Sequence, residues 1–161
     1  MLFERQVSQA LHTEHLASIE LLGRLEQTIA RAKSHQVEGL DRLATEFSRW
    51  LEQDIERHFV FEENELFTRL SDAGEGDIAT LLKEEHEAIR AAAGELRPLA
   101  AAASGGTLEA AQWSDFRRLA LEMVERQVAH IQKETMALLP MLDDLLDEDD
   151  DRELAMAYAS A

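Results

Sequence analysis

Four long segments of the 161-residue chain repeat their apolar residues at spacings of three and four, and only short breaks separate them. The stretch LDRLATEFSRWLEQDI shows this pattern, which is typical of an amphipathic helix. The breaks are SHQVEG, SDAGEGD and ASGGT, all rich in glycine, serine and aspartate. The pattern predicts an all-α protein with helices over residues 2–34, 39–70, 77–103 and 108–146.

Long helices joined by short loops become antiparallel neighbours, so residues 1–146 are expected to form an up-down-up-down antiparallel four-helix bundle. Pro98 and Pro140 lie late in the third and fourth helices, where each is expected to bend or end its helix. Residues 147–161 follow as an acidic C-terminal tail, which is either solvated or forms a short last helix.

The composition excludes several classes of function. The chain has no cysteine, so its own side chains provide no disulfide, thiolate metal site or iron–sulfur cluster. A formal net charge of −17 argues against binding to nucleic acid or anionic lipid surfaces. No apolar run is long enough to span a membrane, and the N-terminus has no apolar signal region. We expect a cytoplasmic protein that binds neither nucleic acid nor membranes, and its oligomeric state stays open.

The two halves of the chain resemble each other. EHLASIELLGRL matches EHEAIRAAAGEL, and HFVFEENELF matches HIQKETMALL. His15 and His58 are 43 residues apart, and His86 and His130 are 44 apart. Each half is therefore predicted to be a helical hairpin that contributes one histidine from its first helix and a His-x-x-x-Glu pair from its second.

A helical wheel places both His-x-x-x-Glu pairs on the apolar faces of their helices, because residues four apart differ by only about 40°. Buried carboxylates without a cation would cost several kcal/mol each. A lone inward histidine is more often a hydrogen-bonded core residue, but here four histidines and two glutamates agree with one symmetric arrangement. The sequence thus predicts a dinuclear metal site whose ligands are His15, His58, Glu62, His86, His130 and Glu134. Mixed imidazole and carboxylate ligands suit iron, with manganese or zinc as substitutes.

These motifs resemble the hemerythrin-like, or HHE cation-binding, family over essentially the whole chain. The resemblance rests on LHTEH, HFVFEE, EEHEAI and HIQKETMALLP, in this order and spacing. It implies a non-haem centre of two iron ions, oxo- or hydroxo-bridged, held by the same six residues. Oxygen-carrying members have a second histidine one turn after the third-helix ligand, where this chain has Arg90.

The resemblance implies a redox-active protein that binds dioxygen, nitric oxide or peroxide at open iron positions. Such a protein would serve in sensing, scavenging or the response to oxidative or nitrosative stress. The alternative is an iron reservoir or donor without turnover, since the four-His, two-Glu set is similar to that of bacterial di-iron proteins that repair iron–sulfur clusters. Enzymatic turnover stays undecided.

Several neighbouring residues have two interpretations. Asp54 and Arg126 occupy equivalent positions, four before His58 and His130, and either orient the ligands or reach solvent. His12 lies one turn before His15, and its counterpart in the repeat is a lysine, so we expect it to be peripheral. Glu63 is expected to point away from the site and lie on the surface.

Overall fold

The computed structural model describes residues 3–161, and this part of the chain forms five helices and no strand. Four helices are long, and the fifth is short and C-terminal. We number them α1 (Gln6–Arg31), α2 (40–72), α3 (Gly76–Ser104), α4 (110–145) and α5 (Glu148–Ala159). The all-α prediction is confirmed, and the four long helices agree with the predicted ranges to within a few residues.

Two of the long helices change from α to π geometry along their length. In α2, π segments at Trp50–Asp54 and Glu62–Leu66 interrupt the α-helical parts Leu40–Arg49, Ile55–Phe61 and Phe67–Asp72. In α4, a π segment at Glu134–Leu138 separates Ala110–Lys133 from Leu139–Leu145. The segments that begin at Glu62 and Glu134 occupy equivalent places in the sequence repeat. Single π turns of this kind are frequent at functional sites.

The predicted breaks are the loops between the long helices. Gly74 and Gly106 have φ values of 89° and 72°, which side chains other than glycine rarely adopt. Each follows the end of a helix and reverses the chain. The short turns at residues 73–75 and 105–109 therefore bring consecutive helices side by side.

Pro98 does not end α3, which continues to Ser104. A proline inside a helix leaves the carbonyl four residues earlier without its N–H partner. Here that residue is Gly94, and both Gly94 and Pro98 are exposed, so water can bond the carbonyl. Of the two effects expected of Pro98, bending and early ending, early ending is excluded. Similarly, α4 continues past Pro140 to Leu145.

Cross-helix hydrogen bonds define how the long helices lie together. Between α2 and α3, the bonded pairs are Thr45–Ser104, Leu51–Arg97 and Glu56–Arg90, so residue numbers rise along one helix as they fall along the other. Between α1 and α4, Arg117 donates to the Ile29 carbonyl and Ser8 to the Leu139 carbonyl. Helix α1 also contacts α2, and α3 contacts α4.

Two apolar clusters fill the interior, one at each end. The larger includes Leu25, Phe47 and Phe116, and the smaller includes Leu11, Leu66 and Leu139. The layer between them contains buried polar residues. A buried layer of this kind needs hydrogen-bond or metal partners within the protein.

Helix α5 packs on the smaller cluster, with Leu154 and Tyr158 buried in it. Its first turn carries four acidic residues, of which Asp151 is buried. The Asp151 carboxylate accepts hydrogen bonds from the backbone N–H groups of Gln6 and Val7, both 2.9 Å long. The segment is thus a helix that caps the N-terminus of α1. No helix in the described residues is long and apolar enough to cross a membrane.

Candidate metal centre

The six residues that the sequence predicts as ligands meet in the polar layer, and all six are buried. They form two groups of four, in which one ligand atom per residue lies within 4.8 Å of the others. The groups are His15, His58, Glu62 and Glu134, and Glu62, His86, His130 and Glu134. Because Glu62 and Glu134 belong to both groups, the arrangement suits two neighbouring ions that share the two carboxylates. That these residues bind metal stays a prediction.

The four-residue spacing brings each histidine to the glutamate one turn later on the same helix. His58 Nε2 lies 3.3 Å from Glu62 Oε2, and His130 Nε2 lies 3.4 Å from Glu134 Oε1. Both glutamates are the first residues of π segments. The two halves of the repeat thus present their pairs with the same local backbone.

Histidines of the other two long helices reach the same carboxylates across the bundle. His15 Nε2 of α1 lies 3.1 Å from Glu134 Oε1, and His86 Nε2 of α3 lies 3.3 Å from Glu62 Oε1. Each of these histidines therefore contacts the glutamate from the opposite half of the repeat. All four Nε2 atoms point toward the two carboxylates.

Two imidazole nitrogens converge in a way that requires a cation or a shared proton. His86 Nε2 and His130 Nε2 are 3.1 Å apart, while their Nδ1 atoms lie 2.7 Å from Glu63 and 2.8 Å from Glu85. An ionised carboxylate only accepts, so both Nδ1 atoms carry hydrogen and donate. In neutral rings both Nε2 lone pairs would then face each other. Either a proton or a metal ion resolves this.

Buried polar atoms without partners support the metal interpretation. Within residues 3–161, both carboxylate oxygens of Glu62, Oε2 of Glu134 and Nε2 of His58 have no hydrogen-bond partner. Leaving buried polar groups unpaired costs about 1–3 kcal/mol each, and more for charged groups. Imidazole nitrogens and carboxylate oxygens are ligands of iron, manganese and zinc. The residues present therefore fit a pair of divalent cations.

Protons and metal ions compete for these nitrogens. Burial opposes the charged form of His130, but Glu134, Glu62 and Glu85 together outweigh burial and raise the pKa of His130 to about 9. Burial also opposes the charge of His58, yet Glu62, Glu14 and Glu134 together raise its pKa well above the usual value. Burial acts against ionisation of Glu134, but the charge on His130 and hydrogen bonds to His130, His15 and Glu62 together hold the pKa of Glu134 well below the usual range. Bound metal must displace the histidine protons.

Comparison with known families places this cluster in context. Residues 6–142 match the hemerythrin HHE cation binding domain, which is most of the chain. The chain belongs to the hemerythrin HHE cation-binding family. No curated protein gives a match. The matched range includes all six candidate ligands and ends before α5.

In this HHE domain, carboxylates hydrogen-bond the Nδ1 atoms of two candidate ligands, His86 and His130. Glu63 Oε2 accepts from His86 Nδ1 and from Arg90, and Glu85 Oε1 accepts from His130 Nδ1. Burial works against their ionisation, but hydrogen bonds with Arg90 and His86 lower the pKa of Glu63. Hydrogen bonds with Lys133 and His130 likewise lower the pKa of Glu85. Such partners fix the imidazole tautomer and ring orientation.

The sequence interpretation of Glu63 as a surface residue is therefore wrong. The wheel assigns it to the outer face, but its carboxylate reaches across to α3, where His86 and Arg90 both donate to it. Sequence reasoning misses Glu85, although the Glu-His dipeptide that opens both matched segments is a signal for it. In the first half the same dipeptide places Glu14 3.8 Å from His58 Nδ1.

The other pair of histidines has different partners. His58 Nδ1 lies 3.1 Å from the hydroxyl of Tyr158 in α5, and within residues 3–161 His15 Nδ1 has no hydrogen-bond partner. Sequence reasoning missed Tyr158, because nothing in its local pattern connects it with a histidine 100 residues earlier. The two candidate metal positions thus differ in their surroundings.

Aromatic rings form the wall of the centre. The Phe59 ring stacks on His86 with centroids 3.7 Å apart and an interplanar angle of 7°, and Phe67 lies 5.3 Å from the same ring. Neither phenylalanine offers a hydrogen bond, so they keep water from the imidazole faces. Arg90 covers Phe59 from outside, with its guanidinium carbon 5.5 Å from the ring centre.

The remaining candidates lie at the edge. Arg126 is exposed and pairs with Glu122, and Asp54 is half-buried. Within the described residues, neither side chain forms a hydrogen bond to a candidate ligand. His12 contacts the ring of Phe3 and lies outside both groups of four. A cavity of about 380 Å³ between α3 and α4 opens to the surface and reaches His130.

Proposed function

We propose that the protein is a non-haem di-iron protein that binds a small redox ligand, such as dioxygen, nitric oxide or peroxide. Its role would be sensing, scavenging or the response to oxidative or nitrosative stress. Two iron ions would supply one-electron redox chemistry and open coordination positions for such a ligand. Manganese or zinc are the substitutes that the same ligand set could hold.

The observation that carries this proposal is the pair of buried four-residue groups sharing Glu62 and Glu134. One ion would take His15 and His58, the other His86 and His130, with the two glutamates common to both. The candidate ligand set consists of four imidazoles and two carboxylates and contains no cysteine or other soft ligand. Nitrogen and carboxylate ligands of this kind suit non-haem iron.

The side chains of this chain would have three tasks. Glu63, Glu85 and Tyr158 hold the Nδ1 protons of three histidines and so aim their Nε2 atoms inward. The apolar rings around the centre exclude water and admit only small ligands. The paired glutamates offset the positive charge of two cations in a buried layer.

Ligand binding is tested by spectroscopy of the iron-loaded protein. The reduced protein is exposed separately to dioxygen, nitric oxide and peroxide, and its visible absorption is recorded. A saturable change with at least one of them is expected. Iron-loaded protein whose spectrum stays constant with all three would contradict ligand binding, while its iron content would still support a metal centre.

The second candidate is an iron reservoir or donor, which the surface cavity at His130 favours. Glu85, Glu122 and Glu125 line this opening beside a candidate ligand. Lys133 and Arg126 also line it and pair with Glu85 and Glu122, so the lining keeps a net negative charge that a departing cation would meet. Loss of iron to an external chelator within minutes, at neutral pH and without reduction, would favour this role. Slow release over many hours would favour the redox role.

We also propose the architecture that the sequence predicts. The four long helices would form an up-down-up-down bundle from two related hairpins, with residues 1–146 as the metal-binding unit and 147–161 as an added C-terminal segment. The opposed directions of α2 and α3 and of α1 and α4 support it. The net charge of −17 argues against binding to nucleic acid or anionic membranes. A cytoplasmic location is part of the same proposal.

A further inference from the structure

Helix α5 reaches the candidate metal centre through one side chain. The hydroxyl of Tyr158 lies 3.1 Å from His58 Nδ1, and the residue is buried. Tyr158 lies outside the range 6–142 that the family shares. We propose that Tyr158 is a positioning residue for His58, and that α5 thereby sets how firmly the His15–His58 position holds its metal ion. This inference rests on the proposed function.

The direction of the hydrogen bond follows from which nitrogen faces the centre. His58 Nε2 lies 3.3 Å from Glu62, so this nitrogen would present its lone pair to a cation. A neutral imidazole that does so carries its hydrogen on Nδ1. His58 Nδ1 therefore donates to the Tyr158 oxygen, which fixes both the tautomer and the orientation of the ring.

The position of the Tyr158 hydroxyl is itself well determined. The tyrosine ring packs against Phe61 with centroids 4.6 Å apart, and the Arg57 guanidinium carbon lies 5.0 Å from its centre. Earlier in the helix, Asp151 accepts from the backbone of Gln6 and Val7. Contacts at both ends of α5 thus keep the hydroxyl at His58.

Among residues 3–161, Tyr158 is the one side chain that hydrogen-bonds His58 Nδ1. The nearest carboxylate oxygen, Glu14 Oε2, is 3.8 Å from His58 Nδ1, too far for a hydrogen bond. At the other metal position, Glu63 and Glu85 bond His86 and His130 at 2.7 and 2.8 Å. Both of those carboxylates come from the long helices. Removing the Tyr158 hydroxyl should therefore weaken one position and leave the other unchanged.

The test compares wild-type protein with Tyr158→Phe, which keeps the packed ring and removes only the hydroxyl. Both full chains are loaded with ferrous iron without oxygen, and release to a chelator is followed over time. One of the two iron equivalents should leave about 10-fold faster from the variant, because losing such a partner typically weakens metal binding by about 10- to 100-fold. Met156→Ala, at an exposed position of the same helix, should match the wild type.

A second readout separates positioning from general loosening. In the ferrous protein, the Nδ1 protons of ligand imidazoles give paramagnetically shifted signals that exchange with solvent. In Tyr158→Phe one such signal should shift and exchange faster, while those of His86 and His130 keep their positions. A purely structural defect would broaden all of them together.

If both iron equivalents leave Tyr158→Phe at the wild-type rate, or if the release of both is accelerated equally, the inference is overturned. The di-iron proposal still stands in either case. The same holds if the imidazole signals do not change selectively. Wild-type protein that takes up no iron would overturn both proposals. Acceleration confined to one equivalent, with one altered signal, supports the role of Tyr158.

Discussion

Glu62 and Glu134 stand apart from the many other acidic residues of this chain because they are almost completely removed from water. Most acidic groups here are solvated, whereas these two lie within 4.8 Å of each other and of four imidazoles. Without metal, raised pKa values at His58 and His130 let protons supply the compensating charge. With metal, the same nitrogens become lone-pair donors.

Substitution of Glu85 tests the carboxylate behind His130. Glu85→Gln retains an oxygen that accepts from Nδ1 but loses the charge that strengthens the bond. We expect the metal affinity of the His86–His130 position to fall about 10-fold. Glu84→Gln, at the exposed neighbouring position, is the control and should bind like wild type. Stepwise metal titration by calorimetry measures the affinities of both variants and of the wild type. Equal affinities of Glu85→Gln and the wild type would contradict the role of Glu85.

The pH dependence of the metal-free protein follows from His130. Its folded-state pKa of about 9 lies above the unfolded value near 6.5, so its charge stabilises the fold fully below pH 6.5. This contribution disappears as the pH rises through 9. The free energy of unfolding in urea should thus decrease between pH 6.5 and 9. A free energy of unfolding that stays constant or increases over this range would contradict the pairing of His130 with Glu134.

At the scale of elements, the π segments and helix α5 are the two features of the site that the amphipathic pattern does not specify. The segments that begin at Glu62 and Glu134 have the wider π turn where two of the candidate ligands lie. Helix α5 adds a cap to α1 and a tyrosine to the centre. Both features link local backbone geometry to the arrangement of ligand atoms.

The cap provided by Asp151 gives a stability prediction. Asp151→Ala removes the acceptor of two backbone N–H groups at the start of α1, which an N-terminal turn cannot satisfy itself. We expect a loss of about 1–2 kcal/mol in the free energy of unfolding. Asp149→Ala alters the same turn of α5, but its side chain is 90% exposed, so it should cost less. Equal losses in urea unfolding would contradict the cap.

The helices and the ligand cluster could be predicted because both depend on spacing within a helix. Phe47, Leu51 and Ile55 share the face of His58 on a wheel, and all are buried. The π turns could not be predicted, because the wheel assumes α geometry throughout. Nor could the contacts of Glu63 and Tyr158, since they depend on side-chain rotamers and on the docking of a separate helix.

At the scale of the molecule, the polar layer separates two apolar clusters that would otherwise meet. Every long helix contributes to this layer, so metal bound there would connect all four. A ligand that binds only the folded state stabilises it by mass action. The bundle is therefore expected to be markedly less stable without metal.

Metal addition tests this coupling. Ferrous iron at 100 times its dissociation constant should raise the free energy of unfolding by about 2.7 kcal/mol for each site. The measurement is urea unfolding of metal-free protein with and without ferrous iron, in the absence of oxygen. Magnesium serves as the control, because it prefers oxygen ligands and should have little effect on this histidine-rich set. Equal stabilisation by both ions would indicate binding to the acidic surface instead.

Metal content is the most direct test of the two-ion centre. Protein purified without added iron should contain about two iron ions per chain by elemental analysis, because two four-residue groups are available. Glu62→Gln, which changes a residue common to both groups, should lower that number to one or fewer. Iron content near zero, with no gain of stability on adding ferrous iron, would contradict the di-iron centre.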